Sequence, residues 1–102
     1  MNPLELNAQK ISDLCKTHNV TSLYSFGSVN SKKFSATSDI DLVVDIGLDD
    51  PLEYTEAYFD LKFKLQEILN RSIDLLELKA IKNPVLQQSI DKSKILVYGK
   101  GN

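Results

Sequence analysis

Asp39-Ile40-Asp41-Leu42-Val43-Val44-Asp45-Ile46 alternates with a period of two, placing Ile40, Leu42, Val44 and Ile46 on one face and Asp39, Asp41, Val43 and Asp45 on the other. That pattern predicts a strand over 39–46 with one buried face. Working outward, Gly47 to Asp50 turns the chain into a helix on which Tyr54, Ala57, Tyr58, Leu61, Leu65 and Ile68 share a stripe, closed by Asn70 and Arg71. Upstream, the stretch from Thr21 to Phe26 is short, carries Leu23, Tyr24 and Phe26, and stops at Gly27, as a buried strand ended by a turn does. Ser72 to Leu78 reads as a third strand and Lys94 to Tyr98 as a last, short one.

Helix starts are announced three times by an Asn or Asp followed by proline, at Asn2-Pro3, Asp50-Pro51 and Asn83-Pro84. Each puts a capping side chain ahead of a proline at the first helical position. Glu5 and Glu53 then fall where a capping box needs them. A single helix is expected from Pro3 to about Thr17, with Leu4, Ala8, Ile11 and Cys15 facing the core, and another from Pro84 to about Asp91. Strands interleaved with helices through short links imply an α/β fold, a two-layer α/β sandwich on a small mixed sheet, with residues 1–102 as a single domain.

The chain has 102 residues, 42% hydrophobic and 25% charged, the balance of one globular domain. With 12 basic and 14 acidic side chains its net charge is −2, and the basic residues are scattered. Nucleic-acid binders draw most of their affinity from a basic footprint, so DNA or RNA is not the expected partner; a small nucleotide needs only a local site. The lone Cys15 cannot form an internal disulfide, and no apolar run of about 18 residues appears, so a cytoplasmic, non-membrane protein is expected.

The chemistry concentrates between Gly27 and Asp41. On a strand, residues i and i+2 point to one face roughly 6.5–7 Å apart, so Asp39 and Asp41 project two carboxylates side by side. Mg²⁺ takes oxygen ligands and commonly uses one or two protein carboxylates, the rest of its shell being water and substrate phosphate. Alone, Asp-x-Asp is more often a solvated face. Here Gly27-Ser28 lies at a strand-to-helix turn, where free backbone N–H groups and a hydroxyl can hold phosphate oxygens. Asp74, a charge between Ile73 and Leu75, is the candidate third acid of a two-metal site. Asp45, farther along the same face, reads as solvated, and His18 as a helix C-terminal cap.

Gly27-Ser28, ten residues, then Asp39-Ile40-Asp41, with Ile73-Asp74 in a later strand, resembles the DNA polymerase beta nucleotidyltransferase superfamily. Within it the chain is similar to the minimal nucleotidyltransferases found in toxin–antitoxin pairs with HEPN-type ribonuclease toxins. The likeness extends to the helix segment Asp60-Leu61-Lys62-Phe63-Lys64 and to Lys82-Asn83-Pro84 followed by Val97-Tyr98. The resemblance implies a catalytic and metal triad of Asp39, Asp41 and Asp74 holding two Mg²⁺ ions. It implies Gly27, Ser28, Ser38 and Lys32 as nucleotide-binding residues, with ATP as donor of AMP to a protein hydroxyl. A HEPN-type toxin is the implied partner.

One departure stands out: the family commonly carries Arg-Gly where this chain has Ser31 and Lys32. Lysine is a point charge without arginine's bidentate fork, so the hold on the triphosphate is expected to be weaker. That leaves an antitoxin acting by binding alone as the alternative. Leu52, Phe59 and Phe63 lie opposite the apolar stripe of their helix, an expected face for a toxin or a second subunit.

Overall fold

The computed structural model describes residues 2–30 and 38–99. Its helices are α1 (Pro3–Leu6), α2 (Ala8–Thr17), α3 (Pro51–Leu69) and α4 (Pro84–Ser93). The strands are β1 (Val20–Phe26), β2 (Ile40–Ile46), β3 (Ile73–Glu77) and β4 (Ile95–Gly99). Short 3-10 turns follow β1 (Gly27–Asn30) and β3 (Leu78–Ala80). The sheet runs β3-β2-β1-β4, with β1 antiparallel to both neighbours and β2 parallel to β3 across the α3 crossover. It is the small mixed sheet flanked by helices that the alternation implied.

All three Asx-Pro starts cap their helices. Asn2 Oδ1 accepts from the Glu5 N–H at 3.0 Å while Glu5 Oε1 accepts from the Asn2 N–H, a complete capping box. Asp50 accepts from Glu53 N–H at 3.0 Å, and Asn83 from Val85 and Leu86. The expected single helix 3–17 is instead two pieces. Asn7 leaves helical geometry, and its side-chain amide joins its own N–H on the Pro3 carbonyl, at 2.8 and 3.2 Å, a local side-chain bond typical of a helix end. The other end of α2 is tied down by His18, whose Nδ1 lies 2.8 Å from the Leu14 carbonyl and Nε2 2.6 Å from Asp60 Oδ2 on α3. Bonds from His18 and Lys64 hold the exposed Asp60 carboxyl below its ordinary range.

The main core lies between one sheet face and α1–α3, where Ile11, Cys15, Leu23, Ile40, Leu42, Val44, Ile46, Leu61 and Leu65 are all fully buried. On the other face α4 brings Ile90 down onto Tyr24 and Val43, with Phe26, Leu76 and Ile81 around them. Val43 is therefore buried although it shares a face with Asp41 and Asp45. Asp45 departs from its reading as solvated: it is half-buried, accepts from Thr21 Oγ1 at 3.0 Å and pairs with Lys79 at 3.3 Å. The 3-10 turn after β3 carries Lys79.

α3 ends at Asn70 in the left-handed conformation (φ +52°), and Ile73 opens β3 directly afterwards. Its side chains return to that strand, Gln66 Oε1 accepting from the Ile73 N–H and the Tyr58 hydroxyl donating to the Leu75 carbonyl. Its outer face stays uncovered, with Leu52 68%, Phe59 53% and Phe63 63% exposed. Among the described residues no helix is long and apolar enough to cross a membrane.

Two substitutions two residues apart should separate the faces of α3. Leu65→Ala is expected to cost about 2–5 kcal/mol in urea denaturation through the cavity it leaves. Phe63→Ala should stay within about 0.5 kcal/mol of wild type.

Candidate active site

Asp41 sits near the start of β2, opposite Phe26 on β1 and in register with Asp74 on β3. Residues in register on adjacent strands point to the same face, with strands roughly 4.8 Å apart, so the Asp41 and Asp74 carboxylates are neighbours. Asp39 lies just before the strand rather than within it, is exposed, and is close enough for its charge to act on Asp41. Asp74 is also exposed, while Asp41 is half-buried. Three acids thus gather at one end of the sheet, two on adjacent strands and one just ahead of β2.

The turn after β1 closes onto this end. Gly27 has φ +75°, and a Cβ there would meet Asp41 Oδ2 at 2.7 Å. Only glycine lets the backbone come so close to the carboxylate. Ser28 follows it within the same 3-10 turn, and Ser38 leads into Asp39. Lys32, with Ser31 and Lys33, lies outside the described residues.

Crowding shows in the electrostatics. Burial first, then the charges of Asp74 and Asp39, raise the Asp41 carboxyl above its ordinary value. Among the described residues no three acidic, histidine or cysteine side chains already converge closely enough to enclose a metal ion. The donor set nevertheless fits a hard divalent cation: all-oxygen, exposed on one side, and carrying a mutual repulsion that a cation relieves. A cleft of about 770 Å³ lies elsewhere, lined by Ser22, Tyr24, Asp45 and Lys94 among others, toward the opposite end of β2. None of the three acids of the strand end lines it.

Two residues at this end were not singled out from sequence. Arg71 Nη1 donates to the Ser38 carbonyl at 3.0 Å, and the Ser72 carbonyl accepts from the Ile40 N–H at 3.2 Å. An isolated arginine after a helix end carries no periodic signal, and its partner is 33 residues away in the chain.

Comparison with known proteins agrees with the geometry. A family model described as polymerase beta nucleotidyltransferase matches residues 9–102. A Methanocaldococcus jannaschii protein provisionally named as a protein adenylyltransferase is 32% identical over 80 residues, spanning 78% of this chain and 79% of the relative. A toxin–antitoxin crystal structure with AMP-PNP superposes with a TM-score of 0.71 at 27% identity, covering 92% of this chain and 74% of that one. A tri-AMPylated Shewanella oneidensis HEPN toxin in complex with its MNT antitoxin gives 0.65 at 26% identity, covering 95% and 73%.

The raised Asp41 carboxyl has a thermodynamic consequence. Between its ordinary value near 3.8 and its raised folded value the native state binds more protons than the unfolded chain, so stability falls as pH rises through that window and stays lowered above it. Asp41→Asn should therefore melt above wild type at pH 7 in metal-free buffer, with the two converging below about pH 3.8. Equal or lower melting at pH 7 would argue against a raised Asp41 carboxyl.

Proposed function

The chain belongs to the polymerase beta nucleotidyltransferase family, and on that premise we propose that it transfers AMP from ATP, with Mg²⁺, to a hydroxyl of a HEPN-type toxin for which it is the antitoxin. The observation that carries this reading is the parallel register of Asp41 and Asp74 with the Gly27 backbone closed against the Asp41 carboxylate. It joins the two things phosphoryl transfer requires, a cluster of hard-cation ligands and a backbone turn that can cradle phosphate.

Asp39, Asp41 and Asp74 would hold the Mg²⁺ ions. When bound, these ions supply charge neutralisation at the triphosphate and activation of the attacking hydroxyl. Gly27 and Ser28 orient the triphosphate through the N–H groups of their turn, with Ser38 and Lys32 as further nucleotide contacts. Asp74, exposed at the strand end, also takes the proton of the acceptor hydroxyl. The relative's name, the AMP-PNP complex and the AMPylated toxin support adenylyl as the transferred group and a toxin as the acceptor. Ser31 and Lys32, in place of the family's Arg-Gly, favour a second reading in which the chain neutralises its toxin by binding alone.

The exposed Leu52, Phe59 and Phe63 of α3 form the surface we assign to that partner, a second copy of the chain being the other occupant. In mass spectrometry of a candidate toxin after incubation with the protein, ATP and Mg²⁺, an added adenylyl mass is expected, and it should vanish with Asp39→Asn, Asp41→Asn. A stable complex with no added mass would replace transfer by masking. Phe59→Ser combined with Phe63→Ser should weaken toxin binding by on the order of tenfold or more in calorimetry, with the fold retained. Unchanged toxin binding together with an unchanged oligomeric state would remove α3 from the interface.

A further inference from the structure

Asp39 is the one acid of the three outside the strand ladder, so β-pairing alone does not aim it. Both peptide groups that flank it are nevertheless tethered, and to adjacent residues. The Ser38 carbonyl, in the peptide that joins Ser38 to Asp39, accepts from Arg71 Nη1 at 3.0 Å. The Ile40 N–H, in the peptide that leaves Asp39, donates to the Ser72 carbonyl at 3.2 Å. Fixing both planes restricts the backbone dihedrals of Asp39, and with them the direction of its side chain.

The second tether is a backbone bond that any residue at 72 supplies. The first depends on one side chain, and arginine suits it, because a planar guanidinium presents donors in a fixed fork while staying charged. Arg71 is half-buried and reaches across from the end of α3, where the left-handed Asn70 turns the chain toward β3. Two residues later that strand delivers Asp74. One short segment, 70–74, thus supplies the third acid and holds the peptide of the first.

We propose that Arg71 is a positioning residue, setting Asp39 relative to Asp41 and Asp74 so that the three carboxylates can share divalent cation. The inference rests on the metal-carboxylate reading above. Residues that orient a metal ligand without touching the ion typically change affinity or activity by roughly 10–100-fold when lost.

The test is a Mg²⁺ titration followed by the thermal shift of the protein with a non-hydrolysable ATP analogue, run on wild type, Arg71→Met and Arg71→Lys. For Arg71→Met the half-saturating Mg²⁺ should rise by about tenfold or more, with the shift recovered at high Mg²⁺ and the melting temperature without ligand little changed. Arg71→Lys keeps the charge without the fork and should move the same way by less; it carries the test if Arg71→Met does not fold. A half-saturating Mg²⁺ equal to wild type in the folded variants, or a shift merely reduced at every Mg²⁺ concentration, would overturn the positioning role. A wild-type protein with no Mg²⁺-dependent shift would overturn the metal reading itself, and this inference with it.

Discussion

Strand β2 is covered on both faces through its middle, with Ile40, Leu42, Val43, Val44 and Ile46 all at zero exposure. A slip of one residue would turn Asp41 and Asp45 into the main core and the aliphatic set out of it, so its register is fixed by the cost of burying unpaired carboxylates. The antiparallel contact with β1 then brings the Gly27 turn to Asp41, and the parallel contact with β3 brings Asp74 beside it. The candidate site is in this sense an end of the core rather than an addition to it.

That arrangement has a stability cost. The half-buried Asp41 carboxylate bears it, through burial first and then the charges of Asp74 and Asp39. Surrounding contacts offset the strain: the aliphatic core behind β2, the Ile90–Tyr24–Val43 cluster on the other face, and the His18–Asp60 contact that joins α2 to α3. The last is partly exposed and contributes little by itself, so packing has to carry most of the compensation.

Much of this was legible in sequence because it rests on local rules. The Asx-Pro starts specify their own caps, and the alternation from Ile40 to Ile46 identifies both the strand and the face that carries its acids. The aspartate spacing placed Asp39 and Asp41 at a strand end, and Asp74 proved to lie beside them. What was not legible depends on partners distant in the chain or on local competition. The break falls at Asn7, which leaves helical geometry with both its side-chain amide and its own N–H on the Pro3 carbonyl. Asp45 is drawn inward by Thr21 and Lys79, and Val43 is covered by α4, neither of which an alternation pattern can register. Arg71 was read only as a helix end because its bond to Ser38 exists only once β2 and β3 lie side by side. Ser28 was read from its turn after β1 as well as from the resemblance, whereas Lys32 rests on the resemblance alone.

Tyr58 and Gln66 have a wider effect than tying α3 to the sheet. Since the Ser72 carbonyl turns inward to β2, the backbone groups of residues 73 and 75 turn outward, and two of them, the Ile73 N–H and the Leu75 carbonyl, are occupied by Gln66 and Tyr58. A passing unfolded segment therefore finds fewer ladder bonds to add onto next to Asp74, which makes that strand a poorer template for a foreign one. The opposite margin, β4, exposes Ile95 and Leu96, so any recruitment of a further strand is steered to the side of the sheet away from the acids.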